Sequence, residues 1–96
     1  MIIELLTFSI DVADQAEWIE VEAGLWTKFL SMQPGFVRKE VWVDPDRPEQ
    51  VSVVVWWHDK FSWESVDEGA SKAVDERMGA WWRPATCRTF HVVRAT

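Results

Sequence analysis

From Ile2 to Ile10 the even-numbered positions Ile2, Leu6, Phe8 and Ile10 are apolar, and only Glu4 breaks the set. That alternation predicts a strand with one buried face. Asp14 followed by Glu17 has the form of a capping box, and a helix over about Asp14–Met32 is expected before Pro34-Gly35 stops it. Phe36–Asp44 reads as a second strand, closed by the turn-rich Asp44-Pro45-Asp46-Arg47-Pro48. Val51–Trp57, almost wholly apolar and β-branched, reads as a central strand. The turn between these strands is expected to be longer than a two-residue hairpin while still favouring antiparallel pairing.

Beyond His58, Asp59 can cap a short helical turn carrying Phe61 and Trp63, and Asp67-Glu68-Gly69 reads as an interruption. Ala70, Ala73, Val74, Met78 and Trp81 then form an amphipathic stripe that Pro84 cannot continue. Ala85–Arg94 alternates as a last strand, with Arg88, Phe90 and Val92 on one face and Cys87, Thr89, His91 and Val93 on the other.

The order is βαββαβ. It predicts an α+β, ferredoxin-like domain: an antiparallel four-stranded sheet with both helices on one face. The other face is then bare, yet Val54 and Trp56 point to one side of the third strand and Val51, Val53, Val55 and Trp57 to the other. An apolar face of that size left in water exceeds the few hundred Å² usual for monomers, so a homodimer paired sheet to sheet is expected.

Composition sharpens this expectation. The chain has 96 residues, one domain's worth over 1–96, and eight Trp with no Tyr. A domain this small buries only about 60–65% of its unfolded surface, so that many indoles imply a partner surface or a lined cavity. The net charge of -6 comes without a basic cluster, which argues against nucleic acid. Acids crowd Asp11–Glu22 and arginines follow Glu76, so opposite patches can meet within the fold or between subunits. One cysteine, Cys87, allows no internal disulfide and reads as a small buried or half-buried strand residue in a reducing compartment. No basic leader and no apolar run of about 20 residues is present, so a cytoplasmic protein with no membrane partner is expected.

Leu25-Trp26-Thr27, Pro34-Gly35-Phe36, Lys39-Glu40-Val41-Trp42, the Asp44-Pro45 turn, Trp57, Trp63 and Met78-Gly79 resemble a family of small bacterial proteins. That family is in turn similar to the antibiotic-biosynthesis-monooxygenase group of dimeric α/β barrels. The resemblance runs from about Ile2 to Arg94 and implies the dimeric α/β barrel fold. Its wider group includes cofactor-free monooxygenases acting on polycyclic aromatic or quinol substrates, haem-degrading enzymes and proteins without a known reaction, so fold alone does not decide activity. Aligned on Trp57, the haem-degrading relatives' ring-distorting Trp falls near Val66 and their iron-ligating His near Glu76. The haem ligand is therefore missing. For the cofactor-free oxygenases no strict residue pattern transfers.

Among the residues themselves, Glu22 is the sharpest anomaly. It projects from the middle of an apolar helix face that includes Trp18, Val21, Leu25, Trp26 and Phe29, one turn from both Trp18 and Trp26. Buried alone its charge is costly, so it either faces a cavity as a base or polar anchor for an aromatic ligand, or the helix is rotated to set it at a wet rim. Trp18, Trp26, Trp57 and Trp63 either line an aromatic pocket with His58 and His91 or are core and interface packing. His58 beside Asp59 invites an acid/base reading, although sequential neighbours at a strand end point apart. His91 reads first as a satisfied sheet histidine. The scattered His and Cys have no metal-ligand spacing, and no phosphate loop or nucleophile elbow occurs, so no metal or cofactor is expected. Two functions remain: a small hydrophobic or aromatic ligand-binding or structural dimer, and a cofactor-independent monooxygenase-type enzyme acting on an aromatic or quinol-like substrate.

Overall fold

The computed structural model describes all 96 residues. β1 (Ile2–Ser9) leads through a 3-10 turn, Val12–Asp14, to α1 (Gln15–Glu22). A π-helical turn, Ala23–Thr27, continues into α2 (Lys28–Ser31). β2 (Phe36–Asp44), β3 (Arg47–Trp57), α3 (Lys60–Glu64), α4 (Glu68–Met78) and β4 (Thr86–His91) follow. The sheet order is β2-β3-β1-β4 with every pairing antiparallel, the ferredoxin-like arrangement.

Register fixes which residues face the helices. Ile2, Glu4, Leu6 and Phe8 of β1 stand opposite Trp57, Val55, Val53 and Val51 of β3, and Ile10, just past β1, joins them in the buried core with Trp18, Leu30 and Met78. Phe36, Lys39, Val41 and Val43 of β2 share this face, because an irregularity between Phe36 and Arg38 shifts the alternation by one residue. The opposite face carries Ile3, Leu5, Val54, Trp56, Trp42 and Phe90. There the Arg38 guanidinium lies 4.1 Å over Trp56, and Trp42 meets Trp56 edge-on at 6.3 Å. Trp42 and Phe90 remain exposed.

Several local expectations are corrected. The capping box at Asp14 does not form: Asp14 lies in the 3-10 turn with helical dihedrals, and its side chain caps nothing. The working caps are Asp59, which accepts from Ser62 N at 2.7 Å, and Asp67, which accepts from Ala70 N at 2.8 Å. Gly69 accordingly sits inside the first turn of α4. The β2-β3 connection is tight, with only Pro45 and Asp46 between the strands, because the Asp44 carboxylate accepts from Asp46 N at 2.8 Å and closes the turn. Gly79 at φ 56° ends α4 well before Pro84. β4 stops at His91 and is exposed along its whole length, so Cys87 is an exposed residue. No helix is long and apolar enough to cross a membrane.

Candidate functional site

A cavity of about 340 Å³ opens between the helices and the sheet, lined by Leu6, Phe8 and Val53 from the sheet and by Trp18, Trp26, Leu30 and Met78 from the helices. This volume lies in the range that takes small molecules. Four charged side chains from separate elements enter its wall: Glu4 from β1, Glu22 from α1, Lys39 from β2 and Asp75 from α4. Arg83, which follows the helical layer, is a further charged residue of the lining; its Nη1 donates to Ala80 O and Trp82 O, and no carboxylate pairs with it.

Glu22 is buried at 2% exposure, as its place in the apolar stripe requires. Lys39 Nζ donates to its Oε2 at 2.6 Å and to Thr27 Oγ1 at 2.7 Å. The same ammonium lies against Oε1, so one cation faces both oxygens of the buried carboxylate. The π turn explains how one lysine reaches two residues five apart. In a regular α-helix Glu22 and Thr27 would point about 140° apart, whereas a π turn, closing i to i+5, brings them to one side. The helix is rotated so that Glu22 meets the cavity and not a wet rim.

Glu4 has a different environment. Trp57 Nε1 donates to its Oε1 at 3.3 Å, Cys87 Sγ lies 3.9 Å from its Oε2, and the Trp63 indole is close by. Burial holds this carboxyl above the ordinary carboxylate range, and those neutral donors offset burial only in part. Partial burial of the Cys87 thiol, and after it the nearby Glu4 charge, push that thiol up. Asp75 is likewise raised by burial, with the Trp82 and Trp26 indoles pulling the other way. Across the sheet floor, Lys39, Val55, Glu4 and Thr89 form one row, which sets the Lys39 and Glu4 backbones two strand spacings, about 10 Å, apart.

The structure brings together Trp18, Glu22 and Trp26 in the cavity wall, with Trp57 and Trp63 touching Glu4 from behind it. Trp18 is fixed by its Nε1 donating to Trp81 O at 3.0 Å and by packing on Phe8 at 4.8 Å. His58 and His91 lie outside the wall, both exposed. His58 and Asp59 do touch, Nδ1 to Oδ2 at 3.1 Å, because β3 ends at Trp57 and strand alternation no longer separates them. Asp59 is lowered to about 2, first by the Ser62 backbone N–H it caps and then by His58. Glu4, Lys39 and Asp75 were not among the candidates. No group of three or more His, Cys, Asp or Glu is placed to hold a metal ion.

The sheet order and helical layer are shared with solved structures of antibiotic-biosynthesis-monooxygenase proteins, as the sequence resemblance implied. Among solved structures, SnoaB, a cofactor-independent oxygenase from Streptomyces nogalater, superposes with TM-score 0.76 at 20% identity, covering 98% of this chain and 94% of that one. A monooxygenase from the gene ActVA-Orf6 of Streptomyces coelicolor, in complex with nanaomycin D, gives TM-score 0.81 at 17% identity over 99% and 89% of the two chains. An antibiotic biosynthesis monooxygenase gives 0.67 at 14% identity over 98% and 100%. At these identities the likeness establishes the fold. No family model and no curated protein matches the sequence.

Proposed function

We propose that the protein binds a small hydrophobic, aromatic ligand in the cavity between helices and sheet. Trp18 and Trp26 form the apolar wall and Glu22 the polar anchor. One observation carries this reading: a space of about 340 Å³ between helices and sheet, walled by Trp18, Trp26 and aliphatic side chains, has the buried Glu22–Lys39 pair in its lining. A few placed polar groups in a mostly apolar wall are what orients a small ligand. The test is a thermal-shift and tryptophan-fluorescence screen of two- and three-ring aromatics, repeated on Glu22→Gln. Saturable binding that weakens in the variant supports the reading, and a screen without any saturable binder refutes it.

The same reading includes a homodimer through the bare sheet face, supported by the exposed Trp42 and Phe90 there. Sedimentation at twice the 11.2 kDa chain mass is the expected result. A monomer at micromolar concentration would remove this part of the proposal.

Glu4 supports a second reading, cofactor-independent oxygenation. A carboxyl held above its ordinary range in a cavity wall is suited to take a proton from an acidic phenol, after which dioxygen is the oxidant. The fold is shared with SnoaB, itself a cofactor-independent oxygenase. Oxygen uptake with hydroquinone-type compounds, lost in Glu4→Gln, is the measurement. Binding without oxygen uptake excludes turnover and leaves ligand binding intact.

A further inference from the structure

The bare sheet face carries charge as well as apolar surface, and the strand register orders it. Glu40, Val54, Leu5 and Arg88 form one row across this face, from edge strand β2 through β3 and β1 to edge strand β4. The row beside it runs Arg38, Trp56, Ile3 and Phe90. Charge in both rows therefore stands on the edge strands alone, over an apolar centre. The two ends of the first row are opposite in sign and three strand spacings, about 14 Å, apart, too far to meet within one chain. Arg88 has no carboxylate partner, and its guanidinium lies 5.1 Å from the Phe90 ring. Glu40 is held by Arg38 Nε at 3.3 Å and by Trp42 Nε1 at 2.9 Å, and its side chain is still 43% exposed.

We propose that a second copy of this chain covers the face with β2 of each copy over β4 of the other, and that each Glu40 pairs with the partner's Arg88. Two identical sheets stacked with aligned strands have their two-fold axis in the plane between them, directed either along the strands or across them. An axis along the strands exchanges β2 with β4 and β3 with β1. Both ends of the Glu40 row then meet opposite charge, and Arg38 comes over the partner's Phe90, a cation over a ring. An axis across the strands, centred on that row, sets every residue over its own copy. Glu40 would face Glu40 and Arg88 would face Arg88, a repulsion at both edges. Sheets stacked about 10 Å apart leave a gap that one arginine and one glutamate side chain span together. The apolar centre drives association, and the charged edges choose the orientation. This inference rests on the homodimer part of the reading above, and it adds which strands meet and what selects them.

The test is sedimentation velocity over a dilution series of the full chain, of Glu40→Arg, of Arg88→Glu and of an equimolar mixture of the two variants. Each variant alone meets like charge at both edges, and its dimer should dissociate at a concentration about tenfold or more above that of the unmodified protein. The mixture has opposite charge at both edges again and should return to within about threefold of the unmodified dimer. Variants that dimerise as tightly as the unmodified protein, or a mixture as weak as its parts, overturn the orientation while the dimer stands. An unmodified protein that is monomeric at micromolar concentration removes dimer and orientation together. Both residues are exposed, and far-ultraviolet circular dichroism checks that the reversals fold. If one does not, Glu40→Gln and Arg88→Gln replace them, each expected to weaken the dimer about twofold to threefold, with the double variant no weaker than either single one. Additive losses, or tighter dimers, would then overturn the pairing.

Discussion

Glu22 and Glu4 are both carboxylates set into otherwise apolar faces, and both look into one cavity. Glu22 is met by an ammonium 2.6 Å from its Oε2, whereas Glu4 is met by an indole N–H at 3.3 Å and a thiol at 3.9 Å. The first carboxylate is tied into the structure by an ion pair. The second keeps its proton affinity free to respond to solvent or to a ligand. The contrast separates a structural end of the cavity from a responsive one.

The largest effect is expected from breaking the tied end. Lys39→Met leaves a buried, uncompensated carboxylate and should cost about 3–5 kcal/mol in urea unfolding, while the double change with Glu22→Leu should recover most of it. If the single change costs under about 1 kcal/mol, the pair is not the anchor described. Glu22→Gln keeps a hydrogen-bonding partner for Lys39 but removes its counter-charge, and a loss of about 1–3 kcal/mol is expected. At the responsive end the sign reverses. Glu4→Gln removes a partly desolvated charge and should stabilise the protein at neutral pH by no more than about 1 kcal/mol.

The pH dependence sharpens the same contrast. Burial raises the folded-state values of Glu4 and Asp75, so both bind protons more tightly in the folded protein. Their contribution is complete below the ordinary carboxylate range and is lost as pH rises through the raised values. Glu4→Gln should therefore flatten the fall in stability as pH rises above the ordinary carboxylate range, measured by urea midpoints. Asp59, lowered to about 2, acts oppositely: its contribution holds above its ordinary value and disappears as pH falls toward 2. The smallest effect belongs to the exposed Arg38–Glu40 pair, 3.3 Å apart, where Glu40→Gln should change stability by about 0–0.5 kcal/mol.

Much of the site was visible as interruptions in apolar sets. Glu22 breaks the stripe of the first helix, and that signal was read. Glu4 breaks the even-numbered set of β1 in the same way, and Lys39 sits among Val37, Val41 and Val43, but alternation alone does not show that the three breaks meet. Asp75 carried no signal, because its indole partners, Trp26 and Trp82, come from other segments. The element order was legible from periodicity. The tight Asp44–Arg47 turn and the 3-10 entry to the first helix were not, since one side-chain hydrogen bond at Asp44 and a missing cap at Asp14 decided them.

The π turn at Ala23–Thr27 has a consequence for how this chain can change over generations. A π turn is equivalent to one residue inserted into an α-helix, and Gly24, inside it, carries no side chain whose loss would disturb packing. Loss of that single codon would let the turn close as regular α-helix with Thr27 four residues after Glu22, about 40° from it, so Thr27 would stay on the Lys39 side. The lysine's two contacts therefore survive the deletion, and the inserted residue is one the scaffold can lose.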